Sequence, residues 1–121
     1  GLEPILIGSG GNSGSMRREA FKIFPELEFT LKVMDNCDFE TMSEALSTVS
    51  PDLIIGNSKG YYISRKLKKP LVRVGFPIHD RFGGQRLHHL GYKGTQELFD
   101  RIVNALIEYK QENSPIGYKY I

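Results

Sequence analysis

The sequence contains little that would assign it to a membrane, secreted or disulfide-bonded class of protein. Cys37 is the single cysteine among 121 residues, so no disulfide can form within the chain, and we expect a reducing compartment, the cytoplasm. No apolar run approaches the ~18 residues of a membrane-spanning helix, and the apolar residues 5–7 are too few for a secretory signal. The sequence therefore predicts a cytoplasmic protein without a membrane partner.

Net charge is also small, and the composition is that of a folded domain. The chain has 16 Lys+Arg against 14 Asp+Glu, and its 40% of hydrophobic residues exclude a disordered protein. Its length is typical of one domain, which can bury roughly two-thirds of its unfolded surface without disulfides or metals. Because the chain starts at Gly1 and enters a strand almost at once, we expect residues 1–121 to be a single domain taken from a longer subunit.

The small net charge conceals an uneven distribution. Residues 59–93 contain nine basic side chains and one acidic side chain, Asp80, whereas the rest of the chain is acidic by 13 to 7. Such a segment is suited to an acidic protein or ligand. Aromatic residues do not alternate with these charges as a nucleic-acid stacking platform requires, so we expect no nucleic-acid partner.

Strand and helix patterns alternate along the chain. Four β-rich runs, at residues 4–7, 28–34, 53–55 and 71–74, alternate with amphipathic patterns at 16–24, 39–49, 61–67 and 92–109. This order predicts an α/β fold, a Rossmann-like three-layer domain with a four-stranded parallel sheet and helices on both faces. We expect run 28–34 to lie near an edge, run 53–55 to be buried on both faces, Asp38 to cap the second helix and Ser58 the third.

The loops that follow the strands are the expected location of a site in such a sheet. Loop 8–14 has the spacing G-x-G-G-x-x-G, with Asp35 and Asp38 after the next strand. This resembles a dinucleotide-binding fingerprint but does not match it, so nucleotide binding and a simple flexible turn both stay open. Cys37 has no second cysteine to share a metal cluster with, and nearby acids disfavour its thiolate. The three histidines, His79, His88 and His89, share loop 75–91 without metal-ligand spacing, which favours a polar interface over a metal site.

Three segments together carry a resemblance to a known family. They are P-D-L-I-I-G-N-S-K-G at residues 51–60, P-L-V-R-V-G-F-P-I-H-D-R at 70–81 and G-Y-K-G at 91–94. On these strings the chain resembles the nitrogenase component 1 family, and within it the C-terminal domain of the β-type subunits, over essentially its whole length. The run G-G-Q-R at 83–86 and the helix at 95–101 are more similar to the NifN-like scaffold for cofactor assembly than to the catalytic molybdenum–iron protein β chain, which stays the alternative.

The resemblance implies partners and cofactors for the parent protein. It implies an α-type nitrogenase-like subunit as partner, with the nitrogenase iron protein and cofactor-assembly proteins as further partners. It also implies iron–sulfur clusters and an iron–molybdenum cofactor precursor in the parent complex. The cysteines that hold such a cluster belong to another part of the family's chains, so we expect no catalytic residue, metal ligand or cofactor in this chain, which is predicted to be inactive alone.

Two sets of residues are therefore predicted to matter. Candidates for an interface or for the cofactor path lie in loop 75–91: His79, Asp80, Arg81, Arg86, His88 and His89. Residues predicted to shape turns follow the third and fourth strands or open the last helix: Gly56, Asn57, Ser58, Gly75, Pro77, Gly91 and Gly94. Pro77 favours an extended path out of the fourth strand, and glycines 91 and 94 allow close backbone approach.

Overall fold

A computed structural model describes residues 1–12 and 14–116. Four strands and four α-helices alternate along these residues, which confirms the mixed order predicted from the sequence. Ser13 in loop 8–14 and the tail 117–121 lie outside the described residues. The chain divides into two compact units, residues 1–51 and 52–121.

The first unit is built on two parallel strands. Strand β1 (Leu6–Gly8) pairs with β2 (Lys32–Met34), with Ile7 opposite Val33. Helix α1 (Ser15–Ile23) follows β1, and a 3-10 helix over Pro25–Phe29 precedes β2. Helix α2 (Phe39–Val49) completes the unit, whose buried apolar side chains are Leu31, Val33 and Leu46.

Two sequence predictions in this unit have different outcomes. The Asp38 carboxylate accepts a hydrogen bond from the Thr41 amide at 2.8 Å, which confirms the predicted cap of α2 and lowers the pKa of Asp38. The strand predicted over residues 28–34 is wrong in its first half. Pro25 fixes a helical backbone angle and starts a 3-10 turn, so pairing begins only at Lys32.

The second unit also contains one parallel pair. Strand β3 (Ile54–Gly56) pairs with β4 (Leu71–Arg73), with Ile55 opposite Val72. Helix α3 (Tyr61–Leu67) connects the two strands after a 3-10 turn over Ser58–Gly60. A long connection with a 3-10 turn at Gly84–Arg86 leads to helix α4 (Gly91–Asn113), and Ile63, Val72 and Ile78 are buried.

The pairing of the strands differs from the predicted four-stranded sheet. Among the described residues, the strands make two separate parallel pairs, β1 with β2 and β3 with β4. Each strand is only three residues long, which leaves few backbone groups for a wider ladder. Ile55 is also 47% exposed, so the prediction that run 53–55 is buried on both faces is wrong for this chain.

Candidate interface site

A charged cluster fixes the loop that follows β4. The Asp80 carboxylate accepts hydrogen bonds from Arg73 Nε at 2.9 and 3.1 Å and from Arg73 Nη2 at 2.6 Å. Ser58 Oγ donates to Asp80 Oδ1 at 2.5 Å. We call Ser58, Arg73 and Asp80 the Asp80 clamp. A bidentate arginine pair of this kind is among the strongest hydrogen-bonded contacts available to a side chain, so the clamp ties β4, the loop and the turn before α3 together.

The environment of Asp80 strongly favours its charged form. The hydrogen bonds from Arg73, followed by the bond from Ser58, hold the pKa of the Asp80 carboxyl well below its usual range. Arg81 adds a second cation, with Nη1 at 3.6 Å from Asp80 Oδ2 and a 2.6 Å bond to the Asp80 carbonyl. The clamp is therefore a permanent ion pair at neutral pH.

Ser58 does not cap α3 as the sequence predicted. Its side chain donates to Asp80 and accepts from the His79 amide at 3.0 Å, while its own amide donates to the Pro77 carbonyl at 3.0 Å. Asn57 is the cap of the 3-10 turn, since its side chain accepts from the Lys59 amide. The hydroxyl of Ser58 is buried and fully engaged in hydrogen bonds, which leaves it no geometry for nucleophilic chemistry.

The residues predicted to shape turns surround this cluster. Asn57 Nδ2 donates to the Phe76 carbonyl at 3.3 Å, and the Phe76–Pro77 peptide bond is cis. Gly56 ends β3 and accepts from the Val74 amide at 2.8 Å, but open space surrounds the position of its missing side chain. Gly75 has a φ of 69°. The turn at 56–58 thus holds the 75–79 segment through backbone and side-chain bonds together.

The last helix closes the other side of loop 75–91. Gly91 has a φ of 71° where the loop enters α4, and a side chain at Gly94 would lie 2.7 Å from the carbonyl carbon of His89. Arg101 Nη1 donates to the Arg73 carbonyl at 2.6 Å, so α4 also contacts the strand that carries the clamp. The sequence prediction missed Arg73 and Arg101 as site residues. The sequence did offer a signal for Arg73, because it lies seven positions before Asp80 within the segment 70–81 that carries the family resemblance.

The three histidines of the loop have separate environments. His79 is exposed and contributes its backbone amide to the clamp. His88 Nδ1 lies 3.0 Å from a Glu97 carboxylate oxygen. His89 packs its ring edge-to-face against Phe76, with centroids 6.0 Å apart, and its Nε2 is buried without a partner among residues 1–12 and 14–116. The side chains do not converge on one point.

Large apolar side chains are exposed in loop 75–91 and at the start of α4. Phe82 in the loop and Tyr92 in the first turn of α4 are fully exposed, Leu90 is 88% exposed and Phe76 is 70% exposed. Arg81 and Arg86 of the same loop are also exposed. Aromatic residues and arginine are the types enriched in protein–protein interfaces. The loop therefore exposes apolar and basic side chains on a backbone that the clamp holds.

The described residues of the glycine-rich loop in the first unit, 8–12 and 14, pack against protein side chains at Gly8. A side chain at Gly8 would meet Met42 Cε and Cys37 Sγ, so this glycine makes room for protein side chains. The Cys37 thiol donates to the carbonyls of Ser9 at 3.5 Å and Met34 at 3.6 Å. Within the described ranges no three His, Cys, Asp or Glu side chains are placed to hold a metal ion. These residues therefore do not fit an iron–sulfur cluster.

The helices were also compared with the requirements of a membrane span. Among residues 1–12 and 14–116, no helix is long and apolar enough to cross a membrane.

Comparison with known proteins identifies the family. The model of the nitrogenase component 1 type oxidoreductases matches residues 1–107. The chain belongs to the nitrogenase component 1 family. This confirms the resemblance carried by the segments at 51–60 and 70–81.

The relatives are β chains of three nitrogenases. The chain is 35% identical to the nitrogenase molybdenum–iron protein beta chain of Methanothermobacter thermautotrophicus, over 88% of this chain and 23% of that one. It is 37% identical to the vanadium–iron protein beta chain of Trichormus variabilis (92% and 26%) and 36% identical to the iron–iron protein beta chain of Rhodobacter capsulatus (84% and 22%). The chain is therefore a β-type domain of the nitrogenase component 1 family.

A solved structure agrees with this assignment. The chain matches a structure described as nitrogenase Cp1 at pH 6.5, with a TM-score of 0.88 and 27% identity, over 98% of this chain and 26% of that one. The chain spans about a quarter of the length of the relatives that it matches.

Proposed function

We propose that this chain is the C-terminal domain of a β-type subunit and that its role is to present loop 75–91 to an α-type subunit. The observation that carries the proposal is the contact between Ser58 and Asp80, which fixes the loop while Phe82 and Tyr92 stay fully exposed. Burying one such side chain when the subunits associate contributes roughly 1.5–3 kcal/mol of favourable free energy. A backbone that is already fixed loses less conformational entropy on binding.

The proposed parent is the NifN-like scaffold on which an iron–molybdenum cofactor precursor is assembled. The G-G-Q-R run at 83–86 and the helix at 95–101 support it, because these segments are more similar to that scaffold than to the catalytic β chain. In this proposal the clusters belong to the parent complex in the cytoplasm, and the iron protein and assembly proteins are its further partners.

The second candidate is the β chain of a catalytic component 1 protein. The three relatives compared above favour it, because they are β chains of molybdenum–iron, vanadium–iron and iron–iron proteins. Sequence identity to the three differs by only two percentage points, so overall identity does not distinguish the metal of the parent's cofactor.

One experiment separates the two candidates. The full-length parent is purified with its α-type subunit and assayed twice, for substrate reduction with the iron protein and for activation of a cofactor-free molybdenum–iron protein. The scaffold proposal predicts activation of the cofactor-free protein and substrate reduction near background. Sustained substrate reduction without such activation would contradict it and favour the catalytic β chain.

A further inference from the structure

The second unit contains a basic groove that shares Arg81 with the proposed interface. Helices α3 and α4 line it, with Pro70 and Leu71 as its floor, and its volume is about 510 Å³. This volume lies within the usual range for small-molecule sites. Tyr61 of α3 and Tyr109 of α4 provide aromatic walls. The groove therefore has the size and walls of a ligand site.

Positive charge dominates the groove. Its lining includes five cations and two carboxylates: Arg65, Lys68, Lys69, Arg73 and Arg81 against Glu108 and Glu112. Asp80 pairs with Arg73 and Arg81 and offsets one of these positive charges, so an excess of two remains. A concave surface with an excess of one sign concentrates counter-ions of the other sign. The lining thus favours an anion.

Three of these cations lack strong compensation. Arg65 contacts the neutral hydroxyl of Tyr61 at 3.2 Å, and Lys69 lies 3.7 Å from the highly exposed Asp52. Lys68 Nζ has no ionic or hydrogen-bond partner among residues 1–12 and 14–116. In the same ranges, neither carboxylate of α4 forms an ion pair with these cations. A bound anion would therefore contact cationic side chains that form no strong ion pair within the protein.

The backbone of Lys68 makes glycine a suitable replacement at this position. Lys68 caps the end of α3 with a φ of 53° and a ψ of 44°, a left-handed conformation that favours glycine. Ser50 ends α2 in the same conformation. Lys68 is among the residues that line the groove, so a glycine there removes one of its cations without straining the backbone.

We infer that this groove binds a small multivalent oxyanion, held by Arg65, Lys68 and Lys69. Arg65 lies in the last turn of α3, and Lys68 and Lys69 follow the end of that helix. An anion with two or more negative charges can contact more than one of these cations. A long acidic peptide fits less well, because it would also meet Glu108 and Glu112. The inference does not depend on the identity of the parent complex.

The test uses a glycine variant that is expected to strengthen the fold. Lys68→Gly removes the cation and relieves the left-handed backbone, so its unfolding midpoint should rise. Ser50→Gly is the matched control, because Ser50 caps α2 in the first unit with a φ of 47°. Pyrophosphate and citrate are titrated into the isotope-labelled chain at low salt and followed by amide NMR shifts.

The expected result is saturable binding of at least one anion, with shifts centred on α3. Lys68→Gly should weaken it about tenfold, as expected for one charge-assisted hydrogen bond, and Ser50→Gly should leave it unchanged. Lys66→Ala, which removes a charge outside the groove lining, should change it less than about twofold. Absence of saturation, equal losses from the Lys66 and Lys68 variants, or tighter binding of a hexaglutamate peptide would overturn the inference.

Discussion

Replacing Ser58 by alanine should weaken the second unit by removing two buried hydrogen bonds. Ser58 is 4% exposed, donates to the ionised Asp80 and accepts from the His79 amide. A hydrogen bond to a charged group contributes ~1.5–3 kcal/mol and a neutral one ~0.5–1.5 kcal/mol. We therefore expect Ser58→Ala to lower the free energy of unfolding by about 2–4 kcal/mol.

Urea unfolding followed by circular dichroism measures this loss, and amide exchange at His79 localises it. The matched control is Ser47→Ala, whose hydroxyl bonds the Glu44 carbonyl on an exposed face of α2. That change should stay within ~0.5 kcal/mol. Because 1.4 kcal/mol corresponds to about tenfold in an equilibrium constant, protection of the His79 amide should fall at least tenfold in Ser58→Ala alone. Equal effects of the two variants, or unchanged protection at His79, would refute the role assigned to the clamp.

Two further predictions follow from the same loop. The pKa of Asp80 is lowered in the folded chain, so its stabilisation is present above the unfolded value near 3.8 and is lost as the pH falls through the lower folded value. The unfolding midpoint should therefore decrease on acidification below about pH 5. In Asp80→Asn, the unfolding midpoint should depend less steeply on pH in that range. Parallel plots of midpoint against pH for the two proteins would contradict the clamp. Gly84→Ala places a methyl group 2.7 Å from the Ile78 carbonyl oxygen and should cost ~1–3 kcal/mol in unfolding free energy, whereas Gly56→Ala, which points into open space, should cost less. Equal costs in thermal unfolding would refute the close contact at Gly84.

Local signals in the sequence predicted the helices and the Asp38 cap well. Apolar spacing placed all four α-helices, and Asp38 caps α2 as expected, because both features depend on residues a few positions apart. The α4 pattern also placed the longest helix correctly, although the helix continues to Asn113.

Features set by tertiary contacts were harder to predict. The Ser58 hydroxyl has two possible uses, to cap α3 or to bind Asp80, and only the approach of loop 75–91 decides between them. Strand lengths and pairing likewise depend on partners distant in sequence, which is why the run at 28–34 shortens to Lys32–Met34. The interface surface was predicted through its charged residues, whereas the exposed Phe82 and Tyr92 became evident only from the fold.

The central proposal is that loop 75–91 contacts an α-type subunit, and co-purification of the two full-length subunits tests it most directly. The variant carries Arg81→Ala and Arg86→Ala, and a control carries Lys22→Ala and Lys32→Ala, which removes the same charge from the first unit. We expect the first variant to recover less of the α-type subunit and less iron per complex, while the control matches the unmodified protein. Unchanged complex yield and iron content in the first variant would contradict the proposal.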